Sequence, residues 1–375
     1  MRYEKALRRR LKNCNGRKVI LLGADYFSDF IFDTLKKMQF VDVLQVKELN
    51  CNNICLERET FFCLIACYSG HKELVEEIQK RGFKYKEDYE AMNLGGWCEP
   101  LTAVDPLLGY CRDEELVPQY KILGSGDYKI IIYGSSTSDI GVGGEENWIQ
   151  FLRRNIQKKY NVTIYAGAVA GYHLGQELLK CVRDISVIKP HLVIQMSGIN
   201  DVGDGTRLGE TNLIHKYTNR MWKSILQIEN IIPDSMDMRG IKRLNCGVRD
   251  DRKDYEIFIS HMRMMNAICK EFGICFIGCL EPLIAYSDKE EELEKLLTNA
   301  GVDSLFYETQ MKFRDNVVAG VTEKWFVDLS DFFKGESGMF LDWCHHSSKG
   351  AKLLASFMQT MVEEVDALRL DLHKA

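Results

Sequence analysis

Short apolar runs rich in Ile, Val and Leu alternate along this chain with longer segments whose apolar positions recur at helical spacing. That alternation predicts strands joined by helices, and with them parallel sheets covered on both faces. In the first part, Lys18 to Gly23 reads as a buried strand and Phe27 to Lys37 as a helix. Val41 to Val46 and Phe61 to Tyr68 follow as strands, and Lys72 to Arg81 as a helix stopped by Gly82. The result is a small Rossmann-like α/β pattern. Between Asn93 and Asp127 the periodicity fades among Gly95, Gly96, Pro100, Pro106, Gly109 and Pro118, which reads as a linker. A domain boundary is expected near residue 118, giving units over 1–118 and 119–375.

The second unit predicts strands at Lys129 to Tyr133, Val162 to Ala166, Leu192 to Ser197, Ile274 to Leu280 and Trp325 to Leu329. Helices are expected near Glu145 to Lys158, Leu174 to Ile188, Tyr255 to Phe272 and Glu290 to Asn299, with a last one from Lys349 to Leu368. That last helix has Ser347 or Ser348 as its cap and carries Leu353, Leu354, Phe357, Met361, Val362 and Val365 at helical spacing. Residues 204–254, with Arg207, Trp222, Arg239 and Arg243, read as an insertion able to cap a site.

Chemistry concentrates at the ends of these strands. The strand Lys129-Ile-Ile-Ile-Tyr stops at Gly134-Ser135-Ser136-Thr137-Ser138, a small-residue turn that can present a hydroxyl at the carboxyl edge of a parallel sheet. Ser136 is the candidate nucleophile. Such a hydroxyl needs a base and a group to orient that base, and Asp342-Trp-Cys-His345 supplies both just ahead of the last helix. His346 lacks the three-residue offset from Asp342 and is expected to face the helix cap or solvent. Donors for an oxyanion follow the next two strands, at Gly171 and Asn200, with the backbone N–H of Ser136 as a third. Ser138, Asp139 and Trp148 are expected to shape the loop and core. Cys344, His345 and His346 are adjacent, but neighbouring residues of an extended chain point apart and no matching Cys/His pair stands elsewhere, so no metal is expected. Gly23 lacks the further glycines of a dinucleotide site, and no cofactor is expected.

In that setting the chain resembles the SGNH hydrolases, also called GDSL esterases and lipases, whose blocks carry Ser, Gly, Asn and His in that order. Ser136, Gly171, Asn200 and His345 stand in that order. The resemblance covers roughly residues 105 to 367, with Ser135 where the family name has Asp. It implies a three-layer αβα, flavodoxin-like domain and metal-free ester cleavage by a Ser136-His345-Asp342 triad, with Ser136, Gly171 and Asn200 as the oxyanion hole. Small acyl esters, on a carbohydrate, are the expected substrate. Two alternatives stay open: an O-acyltransferase acting on a glycan precursor, and a non-catalytic binding module.

Charge and cysteine content narrow the partners. The net charge of -5 leaves no basic footprint for nucleic acid or an anionic membrane, so a small-molecule or glycan ester fits better. The basic start is followed by polar Lys12-Asn-Cys-Asn-Gly16 rather than an apolar core, and the 13 cysteines lack the spacing of a secreted scaffold. A cytoplasmic location with free thiols is expected. Oligomeric state and the role of residues 1–118 are open.

Overall fold

The computed structural model describes residues 4, 7–8, 10–23, 26–39, 42–46, 57–67, 71–93, 102–105, 107–112, 120–140, 146–202, 252–286 and 304–372. These fall into two units, one up to Asp105 and one after it.

In the first unit β1 (Lys18–Leu22), β2 (Val43–Val46), β3 (Phe61–Cys67) and β4 (Tyr89–Asn93) form a parallel sheet in the order β2-β1-β3-β4, with α1 (Tyr26–Lys37) and α2 (His71–Lys80) as crossovers. Val19 to Leu22 and Phe62 to Ala66 are buried without interruption. Such unbroken apolar runs belong to strands covered on both faces, where alternation would put a side chain in water. At the end of the sheet, Asp88 is clamped by Arg17 at 3.0 Å and Arg58 at 2.8 Å. Short strands β5 (Thr102–Asp105) and β6 (Gly109–Arg112) follow.

The second unit contains β7 (Lys121–Leu123), β8 (Tyr128–Gly134), α3 (Trp148–Ile156), β9 (Val162–Ala166), α4 (Leu174–Ile188), β10 (Leu192–Ser197), α5 (Asp254–Glu271), β11 (Cys275–Leu280), α6 (Ser304–Gly320), β12 (Phe326–Asp328) and α7 (Ser348–Leu372). Its sheet runs β12-β11-β10-β8-β9-β7. The strands from β8 to β12 are parallel, in the flavodoxin-like order, and β7 is an antiparallel edge. Side-chain alternation along β8 divides the core. Ile130 and Ile132 pack with Trp148, Leu152, Leu354 and Met358 on one face, while Ile131 and Tyr133 pack with Leu178, Phe258, Met262 and Phe313 on the other. Burying each of these side chains is worth about 1.5–3 kcal/mol relative to exposure.

Several expectations need correction. The boundary falls at Asp105 rather than near 118, because residues read as linker are built into the second unit. Gln176 donates to the Leu108 carbonyl at 2.7 Å, and β7 pairs with β9. The sheet is therefore not wholly parallel. Ser347 is the cap of α7, its hydroxyl accepting from the Gly350 N–H at 3.2 Å, and the buried face runs through Ala351, Leu354, Ala355, Met358 and Val362, leaving Leu353 exposed. The helix expected at 290–299 and nearly all of the insertion at 204–254 lie outside the described residues. Among the described residues no helix is long and apolar enough to cross a membrane, and Cys63, Cys181, Cys269, Cys279 and Cys344 are buried free thiols.

Carboxylates are buried inside this unit. Glu177 of α4 is wholly buried, accepting from the Ser197 hydroxyl and, at 3.3 Å, from the Gln195 amide. Burial outweighs these hydrogen bonds and lifts its carboxyl to about 8. The folded protein then holds a proton that the unfolded chain releases near pH 4.5. Stability should be full below that pH and fall as pH rises toward 8, by at most about 1.4 kcal/mol per pH unit for one proton. Urea denaturation at pH 5 and pH 8 measures the loss, which Glu177→Gln should reduce. Equal losses in the two proteins would remove Glu177 from this role.

Candidate active site

β8 is the strand from which the chain winds out both ways, to β9 on one side and β10 on the other, so the space beyond its carboxyl end is a topological switch point. Ser136 stands there. Gly134 permits the turn: a Cβ on it would lie 2.7 Å from the Ser138 Cβ and 2.8 Å from the Met196 carbonyl oxygen. Two backbone hydrogen bonds, Ser138 N–H to the Ser135 carbonyl and Asp139 N–H to the Ser136 carbonyl, close the loop. Ser135 is fully buried whereas Ser136 is partly exposed, which separates the adjacent hydroxyls.

Helix α3 fixes the loop from one side. Its cap, Asn147, accepts from the N–H groups of Ile149 and Gln150 and donates to the Ser138 carbonyl at 2.9 Å. The indole N–H of Trp148 donates to the Ser138 hydroxyl at 3.0 Å. Ser138, Asp139 and Trp148, all buried, therefore hold the loop.

The loop before α7 carries Asp342 and His345. Asp342 Oδ1 accepts from the N–H groups of Cys344 and His345, both at 2.8 Å, and Oδ2 lies 2.6 Å from His345 Nδ1. Burial alone would raise the Asp342 carboxyl; the hydrogen bond and charge of His345, with the two backbone donors, outweigh it and hold the carboxyl at about 2. His345 Nε2 is buried and, among the described residues, has no hydrogen-bond partner. It lines, with Ser136, a small cavity of about 20 Å³ whose other walls include Trp148, Leu341 and His346.

His346 does not face cap or solvent. Its ring packs against Phe333 and Phe340, at centroid distances of 5.4 and 5.6 Å, and it joins the cavity wall. The cause is a bridge between Phe340 and His346, reinforced by the Leu341 N–H to the His345 carbonyl, which folds the loop back on itself. Burial, ahead of repulsion from His345, pushes its imidazole down to about 3.

Asp342 Oδ2, Cys344 Sγ and His345 Nδ1 lie close enough together to be weighed as metal ligands. The fit is poor. Two ligand atoms at 2.0–2.2 Å from a tetrahedral zinc stand about 3.4 Å apart, and the carboxylate and imidazole are at 2.6 Å, a direct hydrogen bond.

The other two blocks are joined to this loop by hydrogen bonds. Gly171 adopts φ +78°, a left-handed turn that favours glycine. Its loop is tied to the serine loop by Ala170 N–H to Asp139 Oδ2 at 2.9 Å and Val169 N–H to the Gly134 carbonyl at 3.1 Å. Asn200 donates one amide hydrogen to the Tyr172 carbonyl at 2.8 Å, and the second meets no acceptor among the described residues. Among the described residues neither the N–H of Ser136 nor that of Gly171 meets a protein acceptor. The circuit closes through a residue that sequence reasoning missed. Glu281, directly after β11, accepts from Ile199 N–H and from the Thr137 hydroxyl. The only signal was an acid at the carboxyl end of an apolar strand.

Five parallel strands in flavodoxin-like order, flanked by helices on both faces, carry Ser136, Gly171 and Asn200 just beyond the carboxyl ends of β8, β9 and β10, with His345 ahead of α7. The fold is flavodoxin-like. Solved structures similar to the chain include a putative acylhydrolase from Bacteroides fragilis, with 13% identity and TM-score 0.37 over 64% of this chain and 88% of that one. A catalytic mutant of the Geobacillus stearothermophilus acetylxylan esterase Axe2 shows 15% identity and TM-score 0.38 over 62% and 93%. A GDSL-like lipase from Bacteroides thetaiotaomicron shows 13% identity and TM-score 0.35 over 64% and 89%. No protein-family model and no curated protein matches the chain in sequence.

The buried acceptor Asp139 offers a test of this loop arrangement. Asp139→Ala should strand the Ala170 N–H and lower stability by about 1–3 kcal/mol in urea unfolding, whereas Asp139→Asn keeps an acceptor and should recover most of the loss. Equal behaviour of the two variants would show that this bond does not hold the loops together.

Proposed function

We propose that the chain is a serine esterase that cleaves small acyl esters, with Ser136 as nucleophile, His345 as base and Asp342 as its orienter. The observation that carries the reading is the Asp342–His345 pair, whose unpartnered Nε2 lines the same cavity as the partly exposed Ser136. In the reaction the Ser136 oxygen attacks the ester carbonyl while its proton passes to His345 Nε2. The N–H groups of Ser136 and Gly171 and the second amide hydrogen of Asn200 serve the oxyanion, each donor contributing roughly 3 to 4 kcal/mol. The tetrahedral adduct expels the alcohol, which takes the proton from His345. Water, deprotonated by the same base, then attacks the acyl-enzyme and releases the carboxylic acid. Asp342, held near 2, stays ionised throughout neutral pH and fixes the tautomer.

The small cavity favours a short acyl group, and the absence of a basic footprint favours a neutral alcohol. We place that alcohol on a carbohydrate, following the resemblance to a family rich in sugar deacetylases. Ser136→Ala should abolish hydrolysis of p-nitrophenyl acetate and acetylated sugars without loss of fold, and His345→Ala and Asp342→Asn should each cost several orders of magnitude. His346→Ala removes a cavity wall against Phe333 and Phe340, so its effect should be a shift of preference toward longer acyl chains. Activity that survives Ser136→Ala but disappears in Ser135→Ala would move the nucleophile by one residue. Dialysis against EDTA should leave turnover unchanged; a loss that zinc restores would replace the triad with a metal centre.

A further inference from the structure

We propose that Glu281 is a positioning residue that locks the Ser136 loop to the Asn200 loop, and that its proton reverses the hydrogen-bond chain beside the nucleophile. The role rests on the esterase reading. Glu281 is wholly buried, with Oε1 accepting from Ile199 N–H at 2.6 Å and Oε2 from Thr137 Oγ1 at 2.5 Å. Ile199 precedes Asn200 and Thr137 follows Ser136, so one carboxylate spans the backbone of nucleophile and oxyanion donor.

The chain continues one step further, since Thr137 Oγ1 lies 3.3 Å from Ser135 Oγ. An ionised carboxylate only accepts. Thr137 must then donate to Glu281, and its oxygen is left to receive the Ser135 hydroxyl. With a proton on Oε2, Glu281 donates to Thr137, and Thr137 turns its own hydrogen toward Ser135. One proton therefore flips both hydroxyls that flank Ser136.

The titratable groups facing Glu281 are His345 and Cys344 from the loop before α7 and Glu177 from α4. Burial outweighs its two hydrogen bonds and the charge of His345, lifting the carboxyl to about 7. It ionises within the range in which hydrolases are assayed. The ionised form also favours the imidazolium that develops on His345 as Ser136 loses its proton. The fast enzyme accordingly has Glu281 charged, and acid removes it by protonating that carboxylate.

The pH dependence of ester kcat/KM, and of fluorophosphonate labelling of Ser136, between pH 5 and 9 tests this. Wild type should show an acid component near pH 7 from Glu281. Glu281→Gln keeps the acceptor for Ile199 but donates to Thr137, freezing the protonated polarity; it should lack that component and show a plateau lower by roughly ten- to a hundredfold. Thr137→Val should fall by a similar factor and Thr137→Ser should restore activity, all variants being checked for fold by circular dichroism. Identical acid limbs in wild type and Glu281→Gln, or full activity in Thr137→Val, would overturn the role of Glu281. Failure of the esterase reading is separate: it would appear as activity retained in Ser136→Ala.

Discussion

The site depends on where β8 sits. With β9 on one side and β10 on the other, the crossovers leave β8 in opposite directions, and its carboxyl end opens between them. The turn there is possible only because Gly134 brings backbone within reach of Met196 and Ser138. Trp148 and Asn147 of α3 then grip Ser138, while Asp139 reaches across to Ala170. Ser136 is left as the serine that faces the cavity. The proposed nucleophile is thus set apart by the burial of its neighbours as much as by its own position.

Much of this was legible in the chain because the central strands are unbroken apolar runs and their ends are marked by glycine. β9, β10 and α4 were expected with the bounds they have, since Val162–Ala166, Leu192–Ser197 and Leu174–Ile188 have polar or glycine residues beside them. Helix α6 was not expected. Its core side includes Gln310, a polar residue wholly buried beside Phe313 and Val317, and this interrupts the apolar pattern that marks a helix. The antiparallel strand β7 was missed for a different reason: three residues between Gly124 and a proline-containing stretch have too little pattern to register. Asp342 and His345 were found through their offset, which lets one turn place the carboxylate on Nδ1. His346 was misplaced because its direction is set by pairing with Phe340, and spacing from Asp342 says nothing about that.

Glu281 was invisible for a physical reason. A glutamate after a strand ordinarily marks the surface, and only the three-dimensional arrangement shows that its partners are a hydroxyl and a backbone N–H drawn from two other loops. Buried polar groups are costly unless satisfied, and here both carboxylate oxygens have donors. The same reasoning separates Glu281 from Glu177, whose partners, Ser197 and Gln195, lie along β10 rather than beyond its end.

Three carboxylates therefore divide the work by environment. Asp342, partly exposed and facing an imidazole and two backbone donors, is kept near 2 and remains an anion. Glu281 and Glu177 are enclosed by the sheet and its helices, and both are driven upward. Groups whose ionisation is pushed apart in this way can hold different charges at one pH, and that is how a site maintains an orienting anion beside a protonatable link. The cost is carried by the fold: each proton retained on a buried acid at neutral pH is stability given up as the medium becomes more alkaline. A chain that uses buried carboxylates to align its loops consequently ties the precision of the site and the stability of the core to the same titration.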